Sequence, residues 1–387
     1  MCFLRQLGRF VQKISKGMRS CDERFVGDVV LGVCHRRSVL LTEIGRAIEE
    51  DLDLDDTEKR LSRMAGTVHF ADDVLEQNYL AAMAAHVNRL GYIAVDIGDI
   101  QKPHSVVLEH LCRVRDGSAK EEKTIGPGYW MVEVAATDAK NHHVLPLVTR
   151  VYSSEDPEFV SQNREVHEVM ERVARVVAPE VIWLFDRGFD GENYIEKFVE
   201  RMLRWIIRMR GDRIVEMGDH RVVMKDLASS LELKHTTTLH ARTKGSRDVA
   251  YRARFSFIPV HLRGIEGTFG LVVVDAGRKE RMMLLCWRIP KNEDEAARLI
   301  KAYLRRWGIE DDGRALKQLA DIEDVRVQSL RGIRRLIQLA TVALGWLCHV
   351  LLSCPVLAAQ LLSRAKTVGK EPLYKAYRLM EGLRAGG

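Results

Sequence analysis

Apolar residues recur at three- and four-residue spacing along the first 88 positions, with no alternating run among them, which predicts a helical N-terminal unit. SVLLTEIGRAIEE (38–50) has this spacing, Thr57 is placed to cap a helix over TEKRLSRMA (57–65), and Asp72 opens another through Asn88. The period then shortens. LGYIAV (90–95) is an apolar run stopping at Asp96, and Tyr129 to Ala136 and Val144 to Tyr152 are β-rich runs bounded by turn residues. Pro157 to Ala178 reads as an amphipathic helix. VIWLF (181–185) is continuously apolar up to Asp186, as a strand covered on both faces would be. Gly191 to Leu203 is helical again and Trp205 to Met209 a fifth strand. Three strands, helix, strand, helix, strand predicts a mixed α/β sheet.

From Arg213 to Trp287 the pattern is mainly β, with alternation in YRARFSF (251–257) and apolar runs at GLVVV (270–274) and MMLLCW (282–287). It reads as a β-rich insertion. Asn292 to Trp307 begins a helical return, and 329–365 is helical too. The expected division is 1–88 helical, 89–212 first part of the α/β core, 213–290 insertion, and 291–387 completion of the core with C-terminal helices. Leu336 to Leu352 is apolar enough to resemble a membrane span, with Arg331, Arg334 and Arg335 just before it. A single such helix late in the chain is expected to be a central core helix, so no membrane partner is expected.

Composition alters this picture little. The 387 residues are 46% hydrophobic and 29% charged, an ordinary folded composition, and the net charge is only +6. Its distribution matters more. Lys and Arg outnumber Asp and Glu thirteen to six over 201–260 and fourteen to eight over 305–387. Two basic regions suit a polyanion held by its phosphates, although solvated faces also account for them. The seven cysteines are dispersed, without a CxxC pair, as expected of reduced thiols in a cytoplasmic protein. His142, His143, His235 and His240 lack metal-ligand spacing, and the glycines of GPG (126–128) and GTFG (267–270) read as turns.

The candidate chemistry lies in three carboxylates. Asp96 and Asp186 each end an apolar run, so neighbouring strands would present both at one sheet edge, where ligands of open α/β sheets bind. Either aspartate alone is an ordinary strand ending. Together they would repel, and a hard divalent cation relieves such repulsion. In YLRRWGIEDDGRALK (303–317), Tyr303, Arg306, Glu310 and Lys317 follow at gaps of three, four and seven. On one helix they share a face, setting a carboxylate among phosphate-binding donors. A solvated face with an incidental Arg–Glu pair has the same spacing.

The Y-x2-R-x3-E-x6-K run resembles the signature of a large group of DDE transposases from bacterial insertion sequences. FDRGFD (185–190) is similar to that group's second-aspartate motif, AVDIGDIQKP (94–103) to its first, and GYWMVEV (128–134) to its second strand. The resemblance spans roughly residues 55–350 and implies a ribonuclease-H-like (retroviral-integrase-like) mixed-sheet core, with the β-rich insertion before the glutamate and an N-terminal helical unit that binds DNA ends. It implies Asp96, Asp186 and Glu310 as catalytic, metal-binding residues holding two Mg²⁺ or Mn²⁺ ions for in-line attack on phosphodiesters. Asp99 lies three residues beyond Asp96, which is preferred because it ends the apolar run. Tyr303, Arg306 and Lys317 would contact transposon-end phosphates. Arg187 and Lys102 either touch DNA or balance charge. Trp287 either stacks a flipped base or, as is commoner for Trp, sits in the core. The expected function is cut-and-paste transposition on terminal inverted repeats and target DNA, by a homodimer on DNA, at the nucleoid in the bacterial cytoplasm. The alternatives are a non-catalytic DNA-binding descendant and a general metal-dependent nuclease.

Overall fold

In the computed structural model, residues 2–115, 125–138, 143–217, 220–242, 248–277, 279–366 and 375–385 are described. Five helices come first: α1 (Cys2–Ile14), α2 (Ser20–Arg36), α3 (Leu41–Gly45), α4 (Leu54–Gly66) and α5 (Asp72–Leu90). They are followed by β1 (Tyr92–Gln101), β2 (Cys112–Arg115), β3 (Ile125–Thr137), β4 (Val144–Tyr152), α6 (Gln162–Ala174), β5 (Ile182–Phe185), α7 (Glu192–Glu200) and β6 (Arg204–Arg208). The β-rich stretch comprises β7 (Ile214–Met217), β8 (His220–Val223), α8 (Met224–Ser230), β9 (His235–Arg242), β10 (Asp248–Leu262), β11 (Ile265–Asp275) and β12 (Met282–Cys286). The chain returns through α9 (Glu293–Leu304), α10 (Gly308–Leu319), α11 (Leu330–Ser353), α12 (Pro355–Arg364) and α13 (Ala376–Arg384).

The strands form one mixed sheet in the order β2-β3-β1-β5-β6-β12-β11-β10-β7-β8, with β4 also on β3 and β9 on β10. β1 is antiparallel to β3 along its whole length but parallel to β5 only from Tyr92 to Val95. β5 and β6 are parallel, so their C-terminal ends share the edge where β5 leaves β1. The β-rich stretch continues this sheet, because β12 pairs antiparallel with β6.

Several boundaries differ from the sequence pattern. The helix expected over 38–50 is confined to Leu41–Gly45. Beyond Gly45, Leu54 packs so closely that a Cβ on the glycine would lie 2.9 Å from its Cδ1, and the chain must turn to bring α4 there. Asp53, not Thr57, caps α4 by accepting the Asp56 N–H at 2.9 Å, while Thr57 is buried inside the helix. The helix expected from Pro157 begins at Gln162, where Ser161 accepts the Arg164 N–H at 3.2 Å.

α11 is the central core helix that its pattern predicts. Among the described residues it alone is long and apolar enough to cross a membrane, and 72% of its most apolar window is buried inside the fold. It packs on β4 and on α2, α4 and α5, so the N-terminal helices and the sheet share one continuous apolar core.

Two histidines sit in that core between α5 and α11. His86 Nε2 lies 2.9 Å from His349 Nδ1, Arg89 lies 3.0 Å from His86 Nδ1, and Phe10 of α1 stacks on His349. Burial lowers His86 to about 4, with His349, Arg89 and Lys13 adding repulsion; burial and Lys13 also lower His349. The folded protein thus resists protonation that the unfolded chain accepts near pH 6.5. The sign follows: stability is intact above about pH 6.5 and falls as the pH drops toward about 4. A pH series of melting temperatures should fall over this window by several degrees, and less steeply in His86→Asn. Equal slopes in the two proteins would show that the pair is not responsible.

Candidate active site

Asp96 does not end its strand. It marks where β5 stops pairing while β3 continues, and the next residue pair along β1 and β5 is Asp96 and Asp186. Neighbouring strands run about 5 Å apart, which sets the two carboxylates side by side. Each is held by a nearby amide: Asp96 Oδ1 accepts the Ile97 N–H at 2.9 Å, and Asp186 Oδ1 accepts the Gly188 N–H at 2.7 Å, opening a tight turn over Arg187–Phe189.

The stretch around Glu310 is not one helix. α9 ends at Leu304, residues 305–307 form a 3₁₀ turn, and α10 starts at Gly308. A Cβ on Gly308 would stand 3.0 Å from Val144 Cγ2 and 3.3 Å from Thr137 Oγ1, so this glycine lets α10 come down on β3 and β4. Tyr303, Arg306 and Glu310 still converge across the break.

Arg306 joins the carboxylates. Its Nη2 donates to Glu310 Oε1 at 2.9 Å and its Nη1 lies 3.6 Å from Asp96 Oδ2. Burial opposes its charge, but Tyr303, Asp96, Glu310 and Asp186 outweigh that and raise its pKa. Burial pushes Asp96 up to about 6; Arg306 and the Ile97 amide oppose this, and Asp186 and Glu310 add to it. Asp96 therefore feels both of the other predicted carboxylates. Among the described residues, however, no three His, Cys, Asp or Glu side chains gather closely enough to hold an ion. The predicted metal ligands are neighbours without a common focus, and a guanidinium bridges two of them.

The other predicted contacts are redistributed. Tyr303 and Arg306 are buried, not presented to solvent as phosphate contacts would be. Lys317 Nζ lies 3.0 Å from Glu323 and 3.9 Å from Asp99, already among acidic groups. Lys102 is buried and donates to the carbonyls of Glu323 and Val325, the latter at 2.7 Å; burial lowers its pKa to about 8 against the pull of Asp324, Glu323 and Asp321. It tethers β1 to residues 323–325. Trp287 N–H bonds the Trp205 carbonyl, near the start of β6 and away from the edge that carries Asp186. The structure does not bring it to the carboxylates. Arg187 stays partly exposed beside Asp186, with its Nε lacking a hydrogen-bond partner.

The sequence pattern passes over Glu133. It lies directly opposite Asp96 in the β1–β3 ladder and is buried. A Cβ on Gly98 would lie 2.9 Å from its Oε2, and one on Gly313 of α10 2.9 Å from its Oε1. Two glycines on different elements therefore make room for this carboxylate. The available signal was a single charge inside the apolar run GYWMVEV.

Among solved structures, the chain is similar to the cryo-EM structure of a piggyBac transposase synaptic complex with hairpin DNA, at 9% identity and a TM-score of 0.46, over 99% of this chain and 77% of that one. No curated protein matches it in sequence. The family model of the transposase DDE domain matches residues 115–346, from the end of β2, through Asp186 and Glu310, into α11. Asp96 lies before this span, joined to it through the pairing of β1 with β3 and β5. With well over half of its length matched, the chain belongs to the family of transposase DDE domains.

Proposed function

We propose that this transposase cuts DNA at the ends of a mobile element and joins them to target DNA by metal-dependent phosphoryl transfer, using Asp96, Asp186 and Glu310. The observation that carries the reading is that Asp186 follows Asp96 at the edge where β5 leaves β1, while Arg306 bridges Asp96 to Glu310 of α10. The strand order β4-β3-β1-β5-β6, with β3 antiparallel and β5 parallel to β1, supports a ribonuclease-H-like core.

DDE transposase domains generally use divalent metals. The donor set here fits such ions in kind: three hard oxygen ligands, one of them with a pKa raised by burial and by its acidic neighbours. Asp96, Asp186 and Glu310 would hold Mg²⁺ or Mn²⁺. When bound, the ions supply activation of a water or 3′-hydroxyl nucleophile and stabilisation of phosphoryl charge. The chain's own residues orient this chemistry. The Ile97 and Gly188 amides fix the two aspartates, and Arg187, next to Asp186 in sequence, would meet a phosphate or balance charge there. In this proposal the helices of 1–88 bind element ends, the stretch 213–290 lies along the DNA near the cut, and two copies hold two ends, at the nucleoid of a bacterial cytoplasm.

The test uses DNA carrying the segments that flank the protein's own gene, incubated with Mg²⁺ or Mn²⁺. Discrete breaks at an inverted-repeat boundary are expected from the wild type, reduced at least about a hundredfold in Glu310→Gln, a change of ~2.7 kcal/mol or more in activation free energy. Equal cutting by the variant would reject Glu310 as catalytic. Salt-sensitive binding without cutting would identify a non-catalytic DNA-binding protein.

A further inference from the structure

Arg306 occupies a position where the sequence pattern predicts a phosphate contact, yet its side chain is only 8% exposed. It bridges Glu310 and Asp96 and bonds the Tyr303 side chain, while its Nε and Nη1 have no acceptor in hydrogen-bond geometry. Buried donors without acceptors are unfavourable, and each such group in a folded protein calls for an explanation. The bridged carboxylates are those assigned above to a divalent cation.

We propose that Arg306 is an internal counter-ion that bridges Asp96 and Glu310 in the cation-free protein and is displaced when a divalent cation binds. The inference rests on reading Asp96, Asp186 and Glu310 as cation ligands. A cation must approach their oxygens to about 2.0–2.6 Å, and the guanidinium contacts two of the same groups. Competition for oxygens and like-charge repulsion then act together. A released guanidinium presents a planar fork that matches phosphate, so DNA arriving at the site gives it a new partner. Cation and DNA binding therefore become positively coupled, and by linkage each strengthens the other equally. The protein without DNA is kept weakly loaded. This makes Arg306 a positioning residue whose phosphate contact is conditional on its release from the carboxylates.

The test measures Mn²⁺ binding to the full-length protein without DNA by calorimetry. A pH of about 8 keeps Asp96 ionised, since its pKa is about 6. Wild type, Arg306→Gln and Asp186→Asn are compared. Arg306→Gln is expected to tighten Mn²⁺ binding about tenfold, ~1.4 kcal/mol, and Asp186→Asn to weaken it. Unchanged binding in Asp186→Asn would overturn the cation-site reading and this inference with it. Weakening by Asp186→Asn without tightening by Arg306→Gln would overturn the inference alone. Should Arg306→Gln fail to fold, a crystal structure of the wild type with Mn²⁺ decides. The guanidinium is expected to have left both carboxylates, and a cation bound with the 2.9 Å pair to Glu310 intact overturns the proposal.

Discussion

Replacing Asp186 by Asn is expected to lower cleavage of element-end DNA at least about a thousandfold, ~4 kcal/mol in activation free energy, without lowering the melting temperature. The two halves of this expectation have separate physical causes. Asp186 shapes its turn through one oxygen, which accepts the Gly188 N–H at 2.7 Å, and the Asn carbonyl can accept the same bond. Its negative charge strengthens that bond, but the neutral carbonyl keeps the turn's geometry. The same charge raises the pKa of Asp96 and supports that of Arg306, so Asn relieves a like-charge repulsion while giving up a weaker attraction. Stability is therefore expected to hold or rise slightly, as it does when a strained site is neutralised. The chemistry loses an anionic oxygen ligand for which the amide is a poor substitute. Cleavage in Mn²⁺ and a thermal melt on the same preparation check both halves. A folded variant that still cuts within about tenfold of the wild type would remove Asp186 from the catalytic set.

The aspartates were legible in the sequence because each follows an apolar run that must be buried, and the neighbouring registers of β1 and β5 set them together. The end of β1 was not legible. After Val95 the strand loses β5 on one side but keeps β3 on the other, so the polar residues of DIGDIQ still lie in a strand paired by its backbone to residues about 30 positions away. Local pattern carries no information about such a partner. Lys102 illustrates the same limit: beside Asp99 in sequence, it is satisfied by carbonyls at 323 and 325. Tyr303, Arg306 and Glu310 were recognised by helical spacing, yet Tyr303 and Arg306 are buried while Glu310 is exposed, a difference set by the break at 305–307 and by the approach of α10 to β3. Spacing predicts which residues share a direction and is silent on whether that direction is open. Glu133 eluded the pattern because its position opposite Asp96 follows from strand register alone.

Arg335→Ala is expected to cost about 3–5 kcal/mol of folding stability, the largest loss from any single substitution argued for this chain. Arg335 is 2% exposed on α11. Its Nε and Nη2 form a fork on Asp72 at 2.8 and 2.6 Å, its Nη1 donates to the carbonyls of Met64 and Ala65 at 2.8 and 2.7 Å, and its guanidinium lies over the Phe70 ring at 4.3 Å. One side chain thus holds the start of α5 and carbonyls from the last turn of α4 against the central core helix. Truncation leaves buried carbonyls without a donor, and a void where the guanidinium stood. The reverse change, Asp72→Asn, should cost less, about 1–2 kcal/mol, because the Asn carbonyl can still accept a bond from the buried guanidinium, which keeps the Met64 and Ala65 carbonyls as well. Urea titrations of the two variants distinguish the explanations. If Arg335→Ala costs no more than Asp72→Asn, the salt bridge is the whole effect and the carbonyl contacts contribute little. The expected asymmetry would locate the stabilisation in the backbone groups, and would mean that α4 and α5 are fastened to the central core helix chiefly by a buried arginine between two helix ends.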